Sequence, residues 1–552
     1  MPERVEGADE VSINAIRYRI RGPVRRFLAS QPAPRMTVGE ATPRSSQSKS
    51  IVSWTDWRGG IGIERMDPAR DTNRAWWSTC NIWQKRHLTL PRLATDTAAS
   101  GVTGSWTVGF INERANSIYA AFGTDVRGYN NSTDSWGASL ATLAAVATDS
   151  LNVRLGGVEY LIVAYTDGYV YFDGATWTAR TRATKYLAFW DDRLWGVDNT
   201  GLMWSSGTIG VEETDAQLSL PNSSVTNMFL ARAPSGDIAI HVATTRGLYA
   251  HNADAQKLRV TEPVIPTHPD NGRGSDSWRD AAYVSAGLGI YKKVTGAQNA
   301  VVTIMGLDQD HGLPSGYRGT ITALLPSHNE LLALVDATVA PSALTLYQSR
   351  APSNSATIAE KSGRSAIFSW SGQGWAVTWV SAADTRAIST GYVSNAYSTY
   401  RVWWAQDQTV RWMALPRDII NPTQLTDEAH AASATHETPW FDADDTHTVK
   451  LGGAVCVDTS GMSATETVTV SMRLNNDEAV GNQTLLGVIT TNGHTEYTLP
   501  NTTTPTGTVF RQVKLVLDLV RGATTTTTPD VTRIDIFFTG KEQVRWGAGV
   551  TV

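Results

Sequence analysis

Two cysteines in 552 residues are too few for a disulfide framework, and Cys80 and Cys456 stand far apart in the chain. They read as two free thiols in a reducing compartment rather than as a bridge. Long hydrophobic runs are also missing. No stretch approaches 18 apolar residues, so no membrane-spanning helix is expected. The opening Met1-Pro2-Glu3-Arg4-Val5-Glu6 lacks the apolar segment of a signal peptide. Charged residues make up only 18% of the chain. Helical periodicity is confined to short, Ala-rich pieces such as 139–147. The ten histidines are scattered, with no His-x-x-x-His and no Cys-x-x-Cys pair, so no metal site and no cofactor are expected. No Gly-x-Ser-x-Gly elbow is present to carry a nucleophilic serine. These absences argue against an enzyme.

The chain is rich in β-forming and turn residues, with 20 Trp, 17 Tyr, 11 Phe and 46 Gly. Four times an apolar run meets a glycine turn and resumes as an apolar run ending in an aromatic. The copies are Tyr160–Tyr165 into Gly168-Tyr169-Val170-Tyr171 and Leu194–Val197 into Gly201-Leu202-Met203-Trp204. Ile238–Ala243 into Gly247-Leu248-Tyr249 and Ala282–Ser285 into Gly289-Ile290-Tyr291 follow. The turn glycines lie 33, 46 and 42 residues apart. A hairpin recurring at that interval reads as one blade of a β-propeller, because a lone hairpin cannot bury its faces and needs neighbours. Looser copies flank these four: Ile118–Phe122 with Val126–Tyr129, Leu331–Val335 with Leu344–Tyr347, and Tyr400–Trp404 with Val410–Trp412. The expected fold class is all-β: a propeller of about seven blades over residues 96–416, a polar linker at 417–432, and a C-terminal β-sandwich at 433–552. Clean alternation supports the sandwich: Val468, Val470, Met472 and Leu474 on one strand, Val513, Leu515, Leu517 and Leu519 on another, and Ile534, Ile536 and Phe538 on a third. That fragment is expected to fold alone. Within the propeller, the Pro- and Gly-containing stretch Pro263–Ser277 and the Ser/Ala-rich 351–364 are expected to loop out from its faces.

Charge is divided unevenly. Residues 1–95 hold 16 Lys+Arg against 9 Asp+Glu, a balance of +7, whereas 96–552 carry 31 against 43, or −12. Residues 1–95 therefore read as a basic N-terminal arm and docking segment, with the 30–50 stretch extended. Arg17, Arg19, Arg21, Arg25 and Arg26 are the candidate docking residues. A basic arm can bind nucleic acid, but docking onto an acidic neighbouring subunit, such as another copy's body, is the favoured reading. Gly59-Gly60-Ile61-Gly62 lacks the downstream Gly-Lys-Ser/Thr of a phosphate loop and reads as a tight turn between strands.

Other candidate sites have plain alternatives. Phe172-Asp173-Gly174-Ala175-Thr176-Trp177 falls one residue short of a sialidase Asp-box. Asp191-Asp192 reads as a solvated turn. Asp308, Asp310 and His311, and the cluster Asp442, Asp444, Asp445 and His447, lack the full ligand set of a Ca²⁺ loop and read as solvated loops. Trp370, Trp375 and Trp379 surround Gly372 and Gly374; they are read either as packing between blades or as a platform that stacks a sugar.

A resemblance enters at the two ends of the chain. Glu437-Thr438-Pro439-Trp440-Phe441-Asp442-Ala443, Leu486-Gly487-Val488-Ile489-Thr490-Thr491-Asn492-Gly493 and Phe510-Arg511-Gln512-Val513-Lys514-Leu515 resemble the C-terminal β-sandwich of tail-associated structural proteins of double-stranded DNA phages. Ile20-Arg21-Gly22-Pro23-Val24, Asp56-Trp57-Arg58-Gly59-Gly60-Ile61-Gly62 and Leu88-Thr89-Leu90-Pro91 are similar to the opening segment of such proteins. The resemblance implies a structural virion protein of a phage tail, tail tip or baseplate, made in the host cytoplasm. Its partners would be other tail proteins and copies of itself in a cyclic ring. Two further readings stay open: a nozzle-type ring of a short tail, and a tail protein that recognises a host surface glycan. The resemblance supplies no catalytic residue.

Overall fold

The computed structural model describes residues 10–13, 16–19, 50–62, 74–76, 83–84, 86–99, 102, 106–217, 224–233, 236–252, 257–264, 269–286, 289–295, 300–304, 319–338, 364–382, 386–416, 428–442, 448–477, 479–499 and 508–540. The fold is all-β. Among the described residues there is no α-helix, so none is long and apolar enough to cross a membrane. The segment 139–147 is strand and turn rather than helix.

Eight short strands come first. β1 (Glu10–Ile13) and β2 (Ile16–Arg19) pair with each other. They are followed by β3 (Ser50–Trp54), β4 (Gly60–Gly62), β5 (Arg74–Trp76), β6 (Trp83–Gln84), β7 (Leu88–Thr89) and β8 (Thr95–Asp96).

Seven antiparallel four-stranded sheets then succeed one another. The first holds β9 (Val108–Arg114), β10 (Ser117–Phe122), β11 (Asp125–Asn130) and β12 (Ser135–Thr142). The second holds β13 (Ala147–Leu155), β14 (Val158–Tyr165), β15 (Gly168–Phe172) and β16 (Trp177–Arg180). In the third are β17 (Tyr186–Trp190), β18 (Arg193–Val197), β19 (Leu202–Ser206) and β20 (Glu213–Gln217). The fourth comprises β21 (Val225–Arg232), β22 (Ile238–Thr244), β23 (Gly247–Asn252) and β24 (Lys257–Val264). The fifth comprises β25 (Asp276–Trp278), β26 (Ala281–Ala286), β27 (Gly289–Thr295) and β28 (Ala300–Ile304). In the sixth are β29 (Thr320–Pro326), β30 (Leu331–Asp336), β31 (Ala366–Trp370) and β32 (Trp375–Val380). The seventh has three local strands, β33 (Ile388–Ser394), β34 (Arg401–Gln406) and β35 (Thr409–Ala414), and takes its fourth, β8, from upstream. The first strand of each sheet touches the first strand of the next, and β33 touches β9.

The four clear hairpins of the sequence are β14–β15, β18–β19, β22–β23 and β26–β27. One looser copy is paired differently from the expectation. Leu331–Val335 pairs with Ala366–Trp370, and Leu344–Tyr347 lies outside the described residues. The 269–275 stretch does not loop out either. Asn271 and Ser275 are buried, Asn271 Nδ2 donates to Thr245 O at 2.8 Å, and Leu324 N donates to Gly274 O at 2.8 Å. These bonds fold the segment inward against the fourth and sixth sheets. Residues 351–363 lie outside the described residues.

The remaining strands are β36 (Ser433–Glu437), β37 (Lys450–Ser460), β38 (Thr467–Leu474), β39 (Thr484–Ile489), β40 (Gly493–Thr498), β41 (Val509–Phe510), β42 (Val513–Val520) and β43 (Asp530–Gly540). They build two larger sheets together with the early strands. One runs β39-β38-β42-β36-β5-β4. The other runs β40-β37-β43-β7-β6, with β3 also on β43 and β41 on β37. Ser50–Trp54 lies antiparallel to Ile534–Phe538, and β5 and β7 likewise pair with β36 and β43, so these three strands, grouped by sequence with the arm, are hydrogen-bonded into sheets of the C-terminal segment.

A single apolar core joins these sheets to the fifth and sixth four-stranded ones. Trp54, Trp57, Leu88, Tyr283, Phe368, Trp375, Val455, Leu515 and Ile536 all belong to it. At its margin the Gly59-Gly60 turn lies backbone to backbone with the β31–β32 hairpin. A Cβ on Gly374 would sit 1.8 Å from Gly59 O, and one on Gly60 2.1 Å from Trp375 O. No side chain fits there. Gly60, at φ +79°, also closes its turn by donating to Trp57 O at 3.0 Å.

Candidate functional site

Six of the seven first strands and the 269–274 segment leading into β25 surround a cavity of about 570 Å³. Its wall runs from Val108 and Asp149 through Lys185 and Asn227 to Arg273, Thr322 and Ser389. Polar side chains on these strands, with Lys185 just before β17 and Gln406 on β34, tie each sheet to the next. Asn112 Nδ2 donates to Ser150 Oγ at 3.0 Å, and Thr148 Oγ1 to Lys185 O at 2.7 Å. Lys185 Nζ donates to Val225 O at 2.7 Å, and Asn227 Nδ2 to Ser275 O at 2.5 Å. Thr320 Oγ1 donates to Asp270 Oδ2 at 3.4 Å, Gln406 Nε2 to Ser381 Oγ at 2.6 Å, and Ser389 Oγ to Val108 O at 3.1 Å. Every step from sheet to sheet carries such a bond.

Asp149 in the cavity wall and Asp276 on β25, outside the lining, are chemically unusual groups. Each accepts a hydrogen bond from the backbone N–H of the following residue, at 2.8 Å and 2.7 Å. Asn112 and Asn227 do the same on β9 and β21. Asp149 accepts a second from Leu187 N at 2.8 Å. Burial pushes both carboxyls up to about 7, and the Asp276 charge adds to the effect at Asp149. Burial, followed by the Arg273 charge, lowers Lys185. The cavity thus offers carboxyl, ammonium, guanidinium and amide groups in a space of the size that holds small polar ligands. Sequence reasoning missed it. The available signal was the polar residue recurring on first strands, at 112, 149, 227 and 276, of which 149 and 227 line the cavity.

The tryptophans are placed otherwise. Trp375 has no exposed surface and Trp379 keeps 5%, so neither presents a ring face to a sugar. Trp375 sits 5.4 Å from Trp370, which is partly buried, and Trp379 sits 5.0 Å from Trp404 in the core between the sixth and seventh sheets. This is the packing reading. Arg17 and Arg19 lie on β2, while Arg21, Arg25 and Arg26 lie outside the described residues. So do Asp308, Asp310, His311, Asp444, Asp445 and His447; Asp442 is buried. Asp173 ties its own turn, accepting from Ala175 N and Thr176 N at 2.7 Å, and Trp177 stacks on Phe172 at 4.7 Å. Asp191 and Asp192 both take φ of 53°, the left-handed geometry of a tight hairpin turn.

One group that the spacing argument passed over comes together across strands. Cys456, His494 and Glu496 place one potential ligand atom each within 4.8 Å of one another. Burial first, and then the Glu496, Asp535 and Asp458 carboxylates, push the Cys456 thiol up to about 11.

No family model matches this chain, and no curated protein matches it. Among solved structures, the extracellular domain of a hybrid two-component system from B. thetaiotaomicron is similar at 10% identity and a TM-score of 0.41, over 58% of this chain and 39% of that one. The β-propeller domain of Myceliophteria thermophila Cps50 is similar at 11% identity and a TM-score of 0.39, over 58% of this chain and 100% of that one. The computationally designed Ika8 protein matches at 12% identity and a TM-score of 0.32, over 56% of this chain and 83% of that one. Likenesses this slight carry no argument about function, and the chain is placed in no family by them.

Proposed function

We propose that the chain is a non-enzymatic structural subunit of a double-stranded DNA phage tail. In this reading the seven four-stranded sheets are the blades of a propeller closed by β8, and the two larger sheets pack as a sandwich. The supporting observation is how the chain is stitched. β3 to β7 pair among the C-terminal strands, β8 completes the seventh sheet, and one core spans the fifth and sixth sheets and both larger ones. Such a body resists bending between its parts, as a spacer or wall in a tail must. Assembly is assigned to the exposed surfaces. Among the described strands β39 is the last of its sheet, with Leu485 60% and Val488 51% exposed, and an edge of this kind accepts a strand from a neighbour. The basic residues before position 50 of another copy are the proposed occupant, matched to the acidic remainder. Repetition of that contact gives a cyclic ring, in a tail tip, a baseplate or a short-tail nozzle.

The test is incorporation. Chain lacking residues 1–49 is expected to fold but to be missing from assembled particles, and normal incorporation contradicts the proposal. A second reading, recognition of a host glycan, is favoured by the polar cavity around Asp149, Lys185 and Arg273. A glycan array with a reducing-end assay separates the two. Selective binding abolished by Lys185→Ala supports recognition, and released sugar overturns the non-enzymatic reading.

A further inference from the structure

The seven-stranded sheet has two unlike faces. Val455, Val457, Ile534 and Ile536 point into the core, so by alternation Cys456, Asp458, Arg533 and Asp535 lie on the other side. Register completes the set. Cys456 stands opposite Glu496 and Asp458 opposite His494 on β40, while Cys456 stands opposite Asp535 and Asp458 opposite Arg533 on β43. Three kinds of ligand chemistry, thiol, imidazole and carboxylate, thus meet at one spot, with Cys456 and Glu496 40 residues apart in sequence.

We propose that Cys456, His494 and Glu496 form a zinc(II) site on this outward face, with Asp458 as a positioning residue. The donor set selects the metal. A thiolate and an imidazole suit zinc, whereas Ca²⁺ and Mg²⁺ take oxygen ligands. Ligand atoms in a tetrahedral zinc site stand about 3.3–3.7 Å apart, as bonds of about 2.0–2.3 Å require. The 4.8 Å spread closes to that by rotation of the exposed Glu496 side chain with small shifts of the other two. Asp458 Oδ1 lies 2.6 Å from His494 Nδ1, which fixes the ring and leaves Nε2 for the metal, the arrangement in which an outer carboxylate orients a ligating histidine. Asp535 is engaged by Arg533 at 2.8 Å and stays outside the ligand set. Three protein ligands leave a fourth position to solvent or to a ligand from a partner. The ion would pin the edge strand β40 to β37 and neutralise the carboxylates crowded beside the thiol.

The test is Co²⁺ titration of the metal-free full chain, followed by Zn²⁺ competition and thermal melts. The expected result is one Co²⁺ per chain, with tetrahedral d–d absorption and a thiolate-to-cobalt charge-transfer band, displaced by Zn²⁺, which raises the melting midpoint. Cys456→Ser should abolish the charge-transfer band. His494→Gln, at an exposed position that puts folding at no risk, should weaken binding at least tenfold. Asp458→Asn should weaken it by about 10–100-fold with the charge-transfer band retained. Absence of that band from the unmodified chain overturns the proposal. So does Co²⁺ affinity unchanged by both Cys456→Ser and His494→Gln.

Discussion

At the scale of single residues, sites with no spare room are sharply different from sites with ample room. A methyl group at Gly374 would meet Gly59 O at 1.8 Å, whereas one at Gly481 meets nothing within 4 Å. Gly374→Ala should therefore cost about 3 kcal/mol or more in denaturant unfolding, through backbone displacement, while Gly481→Ala stays near neutral. Equal melts for the two variants would refute the tight junction. Titration offers a second test. The Asp276 carboxyl, raised by burial from 3.8 to about 7, holds its proton in the folded chain where the unfolded chain has lost it. Its contribution to stability is full below pH 3.8 and is lost as pH rises toward 7. The buried His241 and His436, lowered to about 4 and 3, act in the opposite sense and lose stability as pH falls below about 6.5. Asp276→Asn keeps the acceptor for Ser277 N, as Asn227 does for Met228 N, and removes only the first effect. The expected difference curve, variant minus parent melting midpoint, rises between pH 4 and 7 and is flat above 8. A flat difference throughout would place Asp276 in a more solvated setting. The tryptophan outcome is a residue-scale lesson as well. Gly372 and Gly374 signal a turn, but residues 370 and 375 are the last pair of strands β31 and β32, and pairing buries Trp375 completely.

At the scale of elements, what could be read from the sequence was whatever repeats locally. Hairpins such as β14–β15 and β22–β23 announce themselves because both strands and their turn lie within about 15 residues, the range over which alternation and turn chemistry act. The pairing of β3 with β43, across more than 470 residues, leaves no such trace; five residues of Ser-Ile-Val-Ser-Trp name no partner. The same limit hid the partner of Leu331–Val335, which lies beyond the intervening 337–365. It also hid the Cys456, His494 and Glu496 group, since cross-strand register rather than spacing assembles it. These long-range pairings change what a fragment should do. Residues 433–552 alone lack β3, β5 and β7 and so leave edges of β36 and β43 uncovered. Trp54, Trp57, Leu88 and Leu90 fill the core beside them, each contributing about 1.5–3 kcal/mol by burial. The fragment is therefore expected to melt weakly or to aggregate, and to regain a cooperative transition when 50–96 is supplied. In the intact chain, removing residues 1–49 should leave the melting midpoint within a few degrees. Removing 1–97, which also takes β8 and the Arg411–Asp96 ion pair, should lower it by about 10 °C or more. Matching melts for the two truncations would show that the early strands do not stabilise the fold.

At the scale of the whole molecule, charge and stitching point the same way. The first strands touch one another from sheet to sheet, and β3, β5 and β7 are sewn into the C-terminal sheets. The proposed docking sets the basic leading residues of one copy against the acidic remainder of another, so that contact should weaken with salt, the Debye length being about 8 Å at physiological ionic strength. The most direct measurement is a cryo-electron microscopy reconstruction of the particle assembled with this chain, with particles made with the 1–49 deletion alongside. The account predicts a cyclic ring of copies in the tail, with leading residues of one copy lying along the β39 edge of the next, and no ring in the deletion. Particles that lack the chain, or an identical ring formed without residues 1–49, would contradict it.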